Sequence, residues 1–222
     1  MNWQTRAISR KDKFSYTGGG IIAFFAVMLL LIFLSYFFVD IPVAIFCKQL
    51  DQNILSVFEW ITELGVSTWY LVASLCLFLI FRFYRKNRVN AHRALFVFAA
   101  VALSGIAAIV LKLTVARYRP TLFFEKGLYG FDFFHVTYEY NSFPSGHVVT
   151  IFSLATAMSL FWPKFRVYFF VVAFAVALSR IALTSHFVSD VIAGAFIGTL
   201  TVLLLKKYIP DHYLHSEKIE YD

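Results

Sequence analysis

Long apolar stretches alternate with short polar ones along this chain, and six of them come close to the length of a bilayer crossing. They cover about 20–39, 65–83, 94–113, 147–162, 166–183 and 187–205. A helix needs about 20 mostly apolar residues to traverse the hydrocarbon core. The pattern therefore predicts an all-α polytopic membrane protein with six transmembrane helices. The first run opens at Gly18–Gly19–Gly20, is too long for a signal-peptide core, and is followed by Asp40–Ile41–Pro42–Val43, with no small-x-small cleavage site. A retained first helix is expected. Segment 41–64 reads differently, with Asp51, Glu59 and Glu63 set against Ile45, Phe46, Leu50, Ile54, Leu55, Phe58 and Ile61. That amphipathic pattern predicts an interfacial helix in an outward loop. A polar-aromatic loop spans 114–143. No repeat or soluble second domain interrupts the pattern, so 1–222 reads as a single domain.

Composition fits this picture. Of the 222 residues, 60% are hydrophobic and only 15% charged, against roughly a quarter charged in soluble domains. Cys47 and Cys76 give neither a disulfide framework nor a cysteine metal site. A net charge of +7 is more naturally a set of basic loops than a nucleic-acid surface. Arg6, Arg10, Lys11, Lys13, the cluster Arg82, Arg85, Lys86, Arg88 and Arg93, then Lys164, Arg166, Lys206, Lys207 and Lys218 all fall on one side of a six-span layout. They make up 14 of the 20 Lys and Arg. By the positive-inside rule both termini are expected in the cytoplasm, with the first, third and fifth loops facing outward.

The candidate chemistry collects on that outward side. His186 and Asp190 are four residues apart at the start of the last run, a spacing that puts them on one helix face, where the carboxylate can take one ring N–H. Arg180, just before them, is a permanent cation with a planar fork suited to phosphate oxygens. Lys112 and Arg119 are seven apart and share a face if the third helix continues to Pro120, which would stop it. In Pro144–Ser145–Gly146–His147, Ser145 is a helix N-cap candidate. Gly146 leaves backbone N–H groups open to an anion, and His147 lies in the first turn. Phosphate is the anion that suits so many donors.

Lys112-x6-Arg119–Pro120, then Pro144–Ser145–Gly146–His147, then Ser179–Arg180-x5-His186-x3-Asp190 resembles the three-part signature of the type 2 phosphatidic acid phosphatase (PAP2) superfamily. Order and internal spacings match, from Lys112 to Asp190 by motif and across the chain by six-span layout. The tetrapeptide alone is a weak signal; the ordered set is not. The resemblance implies a membrane lipid phosphatase that needs no metal or cofactor; the small chain and short tail favour a bacterial one. In it His186 is the nucleophile, Asp190 holds its tautomer, and His147 is the acid and then the base. Lys112, Arg119, Arg180, Ser145 and Gly146 hold the phosphoryl oxygens. The expected partners are a lipid phosphate substrate and membrane lipids, with no nucleic acid; the oligomeric state is open.

Structural roles compete with these. Arg117 and Lys126 lie outside the motif and are equally consistent with snorkelling to headgroups. His135, among Phe131, Phe133, Phe134 and Tyr138, reads as a loop residue rather than a catalytic one, and the aromatic run 123–143 as interfacial packing. A lipid phosphotransferase on the same fold and a non-catalytic transporter or scaffold remain as alternatives; intact His147, His186 and Asp190 argue against the latter. Phosphatidylglycerophosphate, phosphatidate, undecaprenyl diphosphate and lipid A phosphates all fit, so neither the lipid nor monoester versus diphosphate follows from the motifs.

Overall fold

The structure, a computed structural model, describes residues 18–214. The basic cluster between Arg6 and Lys13, and Lys218, lie outside the described residues. The chain is all-helical, and apolar runs become helices because a helix satisfies every backbone group internally.

Helix α1 (Gly18–Leu34) passes through a π-helical turn (Ser35–Val39) into α2 (Asp40–Lys48). Pro42, which lacks an N–H, accounts for the widened turn just before it. The Asp51 carboxylate caps α3 (Gln52–Thr62), accepting from Asn53 N–H at 2.8 Å. A 3-10 turn (Glu63–Gly65) then leads into α4 (Ser67–Leu79). The amphipathic stretch 41–64 is therefore not a separate interfacial helix. Its first part prolongs the first helix, its second part prolongs the next, and both pack on α8 (Arg166–Ala182). Ala44, Cys47 and Thr62 of the stretch are buried, whereas Ile45, Phe46 and Ile54 of its apolar set stay exposed.

Helix α5 (Arg88–Val115) starts six residues before Ala94, because the Asn87 side chain accepts from Asn90 N–H at 3.0 Å and fixes the start there. It ends at Val115, with Ala116 in the left-handed region at φ 40°. A short α6 (Pro120–Lys126) follows, with Pro120 at its first position. After loop 127–145 come α7 (Gly146–Phe161), α8, α9 (Val188–Tyr208) and a last turn, α10 (Asp211–Leu214).

Five helical stretches among the described residues are long and apolar enough to cross a membrane: Phe25–Lys48, Gln52–Tyr84, Arg88–Val115, Pro163–Ala182 and Val188–Tyr208. Helix α7 has only 16 residues, about 24 Å at 1.5 Å per residue. It forms the centre of the bundle, packed by α5, α8 and α9. Its buried Val148, Ile151, Phe152 and Ala155 meet Ala173, Val176 and Val191.

The contact between α7 and α9 is unusually close because α9 presents Gly194 and Gly198 to it. A Cβ at Gly194 would lie 2.8 Å from the Ser145 carbonyl oxygen, and one at Gly198 would overlap the Val149 carbonyl oxygen. Small residues four apart let two helix backbones approach in a membrane. This approach brings the start of α7 against the start of α9, where Ser145 N–H donates to the Asp190 carbonyl oxygen at 3.1 Å. Gly198→Ala should therefore destabilise the protein by about 1–3 kcal/mol, overpacking outweighing the helical preference of alanine. Gly105→Ala, where nothing lies within 4 Å of the added methyl, should be neutral or slightly stabilising. Thermal unfolding in detergent compares the two, and a Gly198→Ala protein as stable as wild type would show that the crossing relaxes freely.

Candidate active site

Three cations come from three different elements. Lys112 lies in the last turn of α5 and donates Nζ–H to the Asn141 carbonyl oxygen at 2.7 Å. Arg119 precedes α6. Its Nε, Nη1 and Nη2 donate to the carbonyl oxygens of Tyr138 (2.9 Å), Ser185 (3.0 Å) and Asn141 (3.3 Å). Its guanidinium carbon also lies 3.8 Å from the centre of the Tyr138 ring. Arg180, in the last turn of α8, donates Nη1–H to Thr62 Oγ1 at 2.7 Å, while its buried Nε has no partner. Arg119 and Arg180 are 6% and 8% exposed. Among the described residues none of these three cations is paired with a carboxylate within 4.0 Å. Buried charge without a counter-charge is costly, so this excess marks a place for an anion.

The start of α7 adjoins them. Lys112 Cε would lie 3.9 Å from a Cβ on Gly146. Ser145 takes the N-cap position, yet its hydroxyl does not cap the helix: it is buried with no partner. Free N–H groups at a helix start and an unpartnered hydroxyl are an anion site's donors.

Lys112 and Arg119 do not share a helical face, as their spacing suggested. The helix stops at Val115, and Arg117 forms an antiparallel bridge with Phe131. Tyr118 N–H donates to the Gly130 oxygen, Arg119 N–H to that of Glu139, and Ser142 N–H to that of Arg117. The extended piece is laced into the outward loop, and this returns Arg119 to Lys112, where both donate to one oxygen.

His186 sits in the turn between α8 and α9 and is 4% exposed. Its pairing with Asp190 also differs from the sequence expectation. Phe187 is the N-cap of α9, so His186 lies outside the helix, and its Nδ1 is 3.8 Å from Asp190 Oδ2. Ser142 stands between them, donating Oγ–H to Asp190 Oδ2 at 2.6 Å, with Oγ 3.5 Å from His186 Nδ1. With that hydroxyl proton committed to Asp190, the contact fits an Nδ1–H donor and leaves Nε2 with its lone pair. Burial, only partly opposed by Asp190, holds the His186 imidazole well below the usual histidine range. A neutral ring is the form that can act as nucleophile.

Asp190 also accepts from the Phe187 N–H at 2.9 Å, and its other partner is a residue outside the motif. Arg117 is fully buried; it meets Asp190 Oδ1 at 2.5 Å and Asp40 Oδ2 at 2.7 Å, and donates to Ser189 Oγ at 2.6 Å and Tyr129 Oη at 3.2 Å. Burial alone would lower its pKa, but the carboxylates of Asp190 and Asp40 outweigh that and raise it. Asp40 in turn accepts from Ser189 N–H at 2.9 Å and Ser189 Oγ–H at 2.5 Å. Arg117 therefore does not snorkel. The sequence signal was an aspartate directly after an apolar run and an arginine near the end of another, two charges that neither lipid nor motif explains. Lys126 is exposed. His135 is also exposed, 3.0 Å from Asp132 Oδ2 and stacked on Tyr140.

Residues 93–213, which contain every motif position, match the PAP2 superfamily. The chain belongs to the PAP2 superfamily. It is 31% identical over 207 residues to a lipid A 1-phosphatase of Rhizobium etli, covering 84% of this chain and 88% of that one. Similarity to a lipid A 1-phosphatase of Rhizobium johnstonii is 31% over 184 residues, 78% and 74% of the two chains. The crystal structure of a transmembrane PAP2 type phosphatidylglycerolphosphate phosphatase from Bacillus subtilis superposes with a TM-score of 0.59 at 20% identity, covering 89% of this chain and 98% of that one. Aquifex aeolicus LpxE superposes with a TM-score of 0.55 at 22% identity, covering 79% and 99%. These two likenesses establish the fold. The chain is thus a multi-pass membrane phosphatase of the PAP2 superfamily, a phosphoric ester hydrolase acting on lipids.

Removing Arg117 leaves two buried carboxylates uncompensated. Arg117→Met should cost about 3–5 kcal/mol, read as a fall in the detergent unfolding midpoint, with Asp40→Asn partly restoring stability in the double variant. Wild-type stability in Arg117→Met would refute a structural role for this ion triad.

Proposed function

We infer that this PAP2 phosphatase hydrolyses a phosphate monoester of a lipid A-class glycolipid through a phosphohistidine, without a metal ion. The observation that carries the reading is a set of two buried arginines and a half-buried lysine, none with a carboxylate partner, around the Ser145 hydroxyl and the start of α7. The lipid class rests on the near full-length similarity to lipid A 1-phosphatases.

In this reading His186 Nε2 attacks phosphorus. The bond to the lipid oxygen breaks, the electron pair leaves with that oxygen, and His147 supplies its proton. Asp190, acting through Ser142, stabilises the imidazolium that forms. Water, deprotonated by His147, then attacks the phosphohistidine and frees phosphate and His186. Lys112, Arg119 and Arg180, with Ser145 Oγ and Gly146 N–H, hold the phosphoryl oxygens and the charge that develops on them. Three fixed cations supply the neutralisation that metal ions provide in other phosphoryl-transfer sites.

Purified protein should release phosphate from lipid A faster than from phosphatidate, phosphatidylglycerophosphate or undecaprenyl diphosphate. The activity should survive EDTA and be inhibited by vanadate. His186→Ala should abolish turnover, and Ser142→Ala and Asp190→Asn should lower kcat by about 10²-fold or more. Near-normal turnover by His186→Ala would overturn the mechanism; loss in EDTA restored by a divalent ion would overturn metal independence.

The bias of Lys and Arg supports a site on the outward face, with both termini in the cytoplasm. On a background without Cys47 and Cys76, Glu125→Cys should react with an impermeant maleimide in intact spheroplasts, and Arg85→Cys only after lysis. Both positions are exposed. The opposite labelling would move the chemistry to the cytoplasm.

A further inference from the structure

The turn between α3 and α4 reaches the site from outside the family-matched segment 93–213. Thr62 ends α3 and is buried, and its hydroxyl is the side-chain partner of Arg180. Three residues on, Gly65 is buried directly against His147. A Cβ there would come within 2.7 Å of His147 Cβ, 2.9 Å of its ring Cδ2 and 3.0 Å of Val176 Cγ1. Gly65 belongs to a 3-10 turn and is not among the glycines with positive φ. The backbone therefore does not demand glycine here; the space does.

That space is defined by atoms with little freedom. His147 Cβ is fixed by the backbone of the first turn of α7, and Val176 lies in the buried core of α8. The turn itself is tied down, with Tyr70 Oη–H donating to the Leu64 carbonyl oxygen at 2.5 Å and Val66 N–H to that of Glu63 at 3.1 Å. An added methyl must therefore push the His147 ring, or the turn and Thr62 with it.

We propose that the α3–α4 turn is a positioning element of the active site, with Gly65 setting the place of the His147 ring and Thr62 that of the Arg180 guanidinium. This rests on the reading of His147 as the acid for the leaving oxygen. It deepens that reading by assigning the acid's position to residues outside the motif. A catalytic group displaced by about 1 Å can cost on the order of 10²-fold in rate. The loss falls on the step that needs its proton.

Two substrates separate this from a packing effect. An alkyl phosphate such as dodecyl phosphate leaves as an alkoxide and needs the proton, whereas p-nitrophenyl phosphate releases a stable anion and does not. Gly65→Ala should slow first-turnover cleavage of dodecyl phosphate by about 10²-fold and leave the first-turnover burst of p-nitrophenolate near wild type. His147→Gln should show the same selectivity. An equal loss on both substrates in Gly65→Ala, or no loss on either, while His147→Gln is selective, overturns the Gly65 assignment and leaves the His147 reading standing. Equal first-turnover losses in His147→Gln overturn the reading of His147, and the proposal with it.

Thr62 gives a second arm, which decides if Gly65→Ala does not fold. Thr62→Val, nearly isosteric but without the acceptor, should raise KM and the vanadate inhibition constant together by about tenfold, the effect of losing one charged hydrogen bond. Thr62→Ser should restore both. Wild-type KM in Thr62→Val, or no rescue by Thr62→Ser, overturns the Thr62 assignment.

Discussion

Arg117 holds a full positive charge where no water reaches it, and the carboxylates of Asp40 and Asp190 make that position tolerable. One carboxylate comes from the first residue of α2, the other from the first turn of α9. The arginine itself arrives on an extended piece of chain laced into the outward loop. Three distant parts of the sequence meet at one guanidinium, and none of them can move without exposing an unpaired charge to a low-dielectric interior. The His186 environment depends on this arrangement. Asp190 is oriented by Arg117, the Phe187 N–H and the Ser142 hydroxyl. Only then does it stand behind the imidazole.

Charge separates the two kinds of cation in this region. Arg117 is neutralised by protein and holds structure together. Lys112, Arg119 and Arg180 rest on carbonyl and hydroxyl oxygens, which hold some of their N–H groups in place without cancelling their charge. In the proposed mechanism a phosphate group would bring the missing charge without having to break an ion pair. Charge developing on its oxygens in that mechanism would meet donors that are already in place.

The helices were readable from apolar run length, and the candidate site residues (three cations, two histidines, Asp190, Ser145 and Gly146) were proposed from motif spacing. The geometry linking them was less so. Lys112 and Arg119 looked like neighbours on one helix, yet Ala116 turns left-handed between them. An alanine gives no warning of that conformation, because pairing with residues 130–132 of the loop imposes it. His186 and Asp190 looked like one helical turn, but the helix begins between them and Ser142, 44 positions upstream of His186, fills the gap. Asp40 and Arg117 are 77 positions apart, a pairing that no local pattern encodes. The amphipathic stretch 41–64 had the period of a surface helix, and periodicity does not say whether such a stretch stands alone or prolongs the helices on either side of it.

The loop preceding α7 serves the site largely through its main chain. Tyr138 and Asn141 offer carbonyl oxygens to Arg119 and Lys112, and carbonyl oxygens are common to all twenty amino acids. Ser142 is the one position whose hydroxyl is used on Asp190. Meanwhile Phe133, Phe134 and Val136 of the same loop point outward and are exposed. These exposed side chains can thus be exchanged with little effect on the oxygens that seat the cations. A fold wired in this way can change its clientele by drift on one face of a loop while its reaction stays constant.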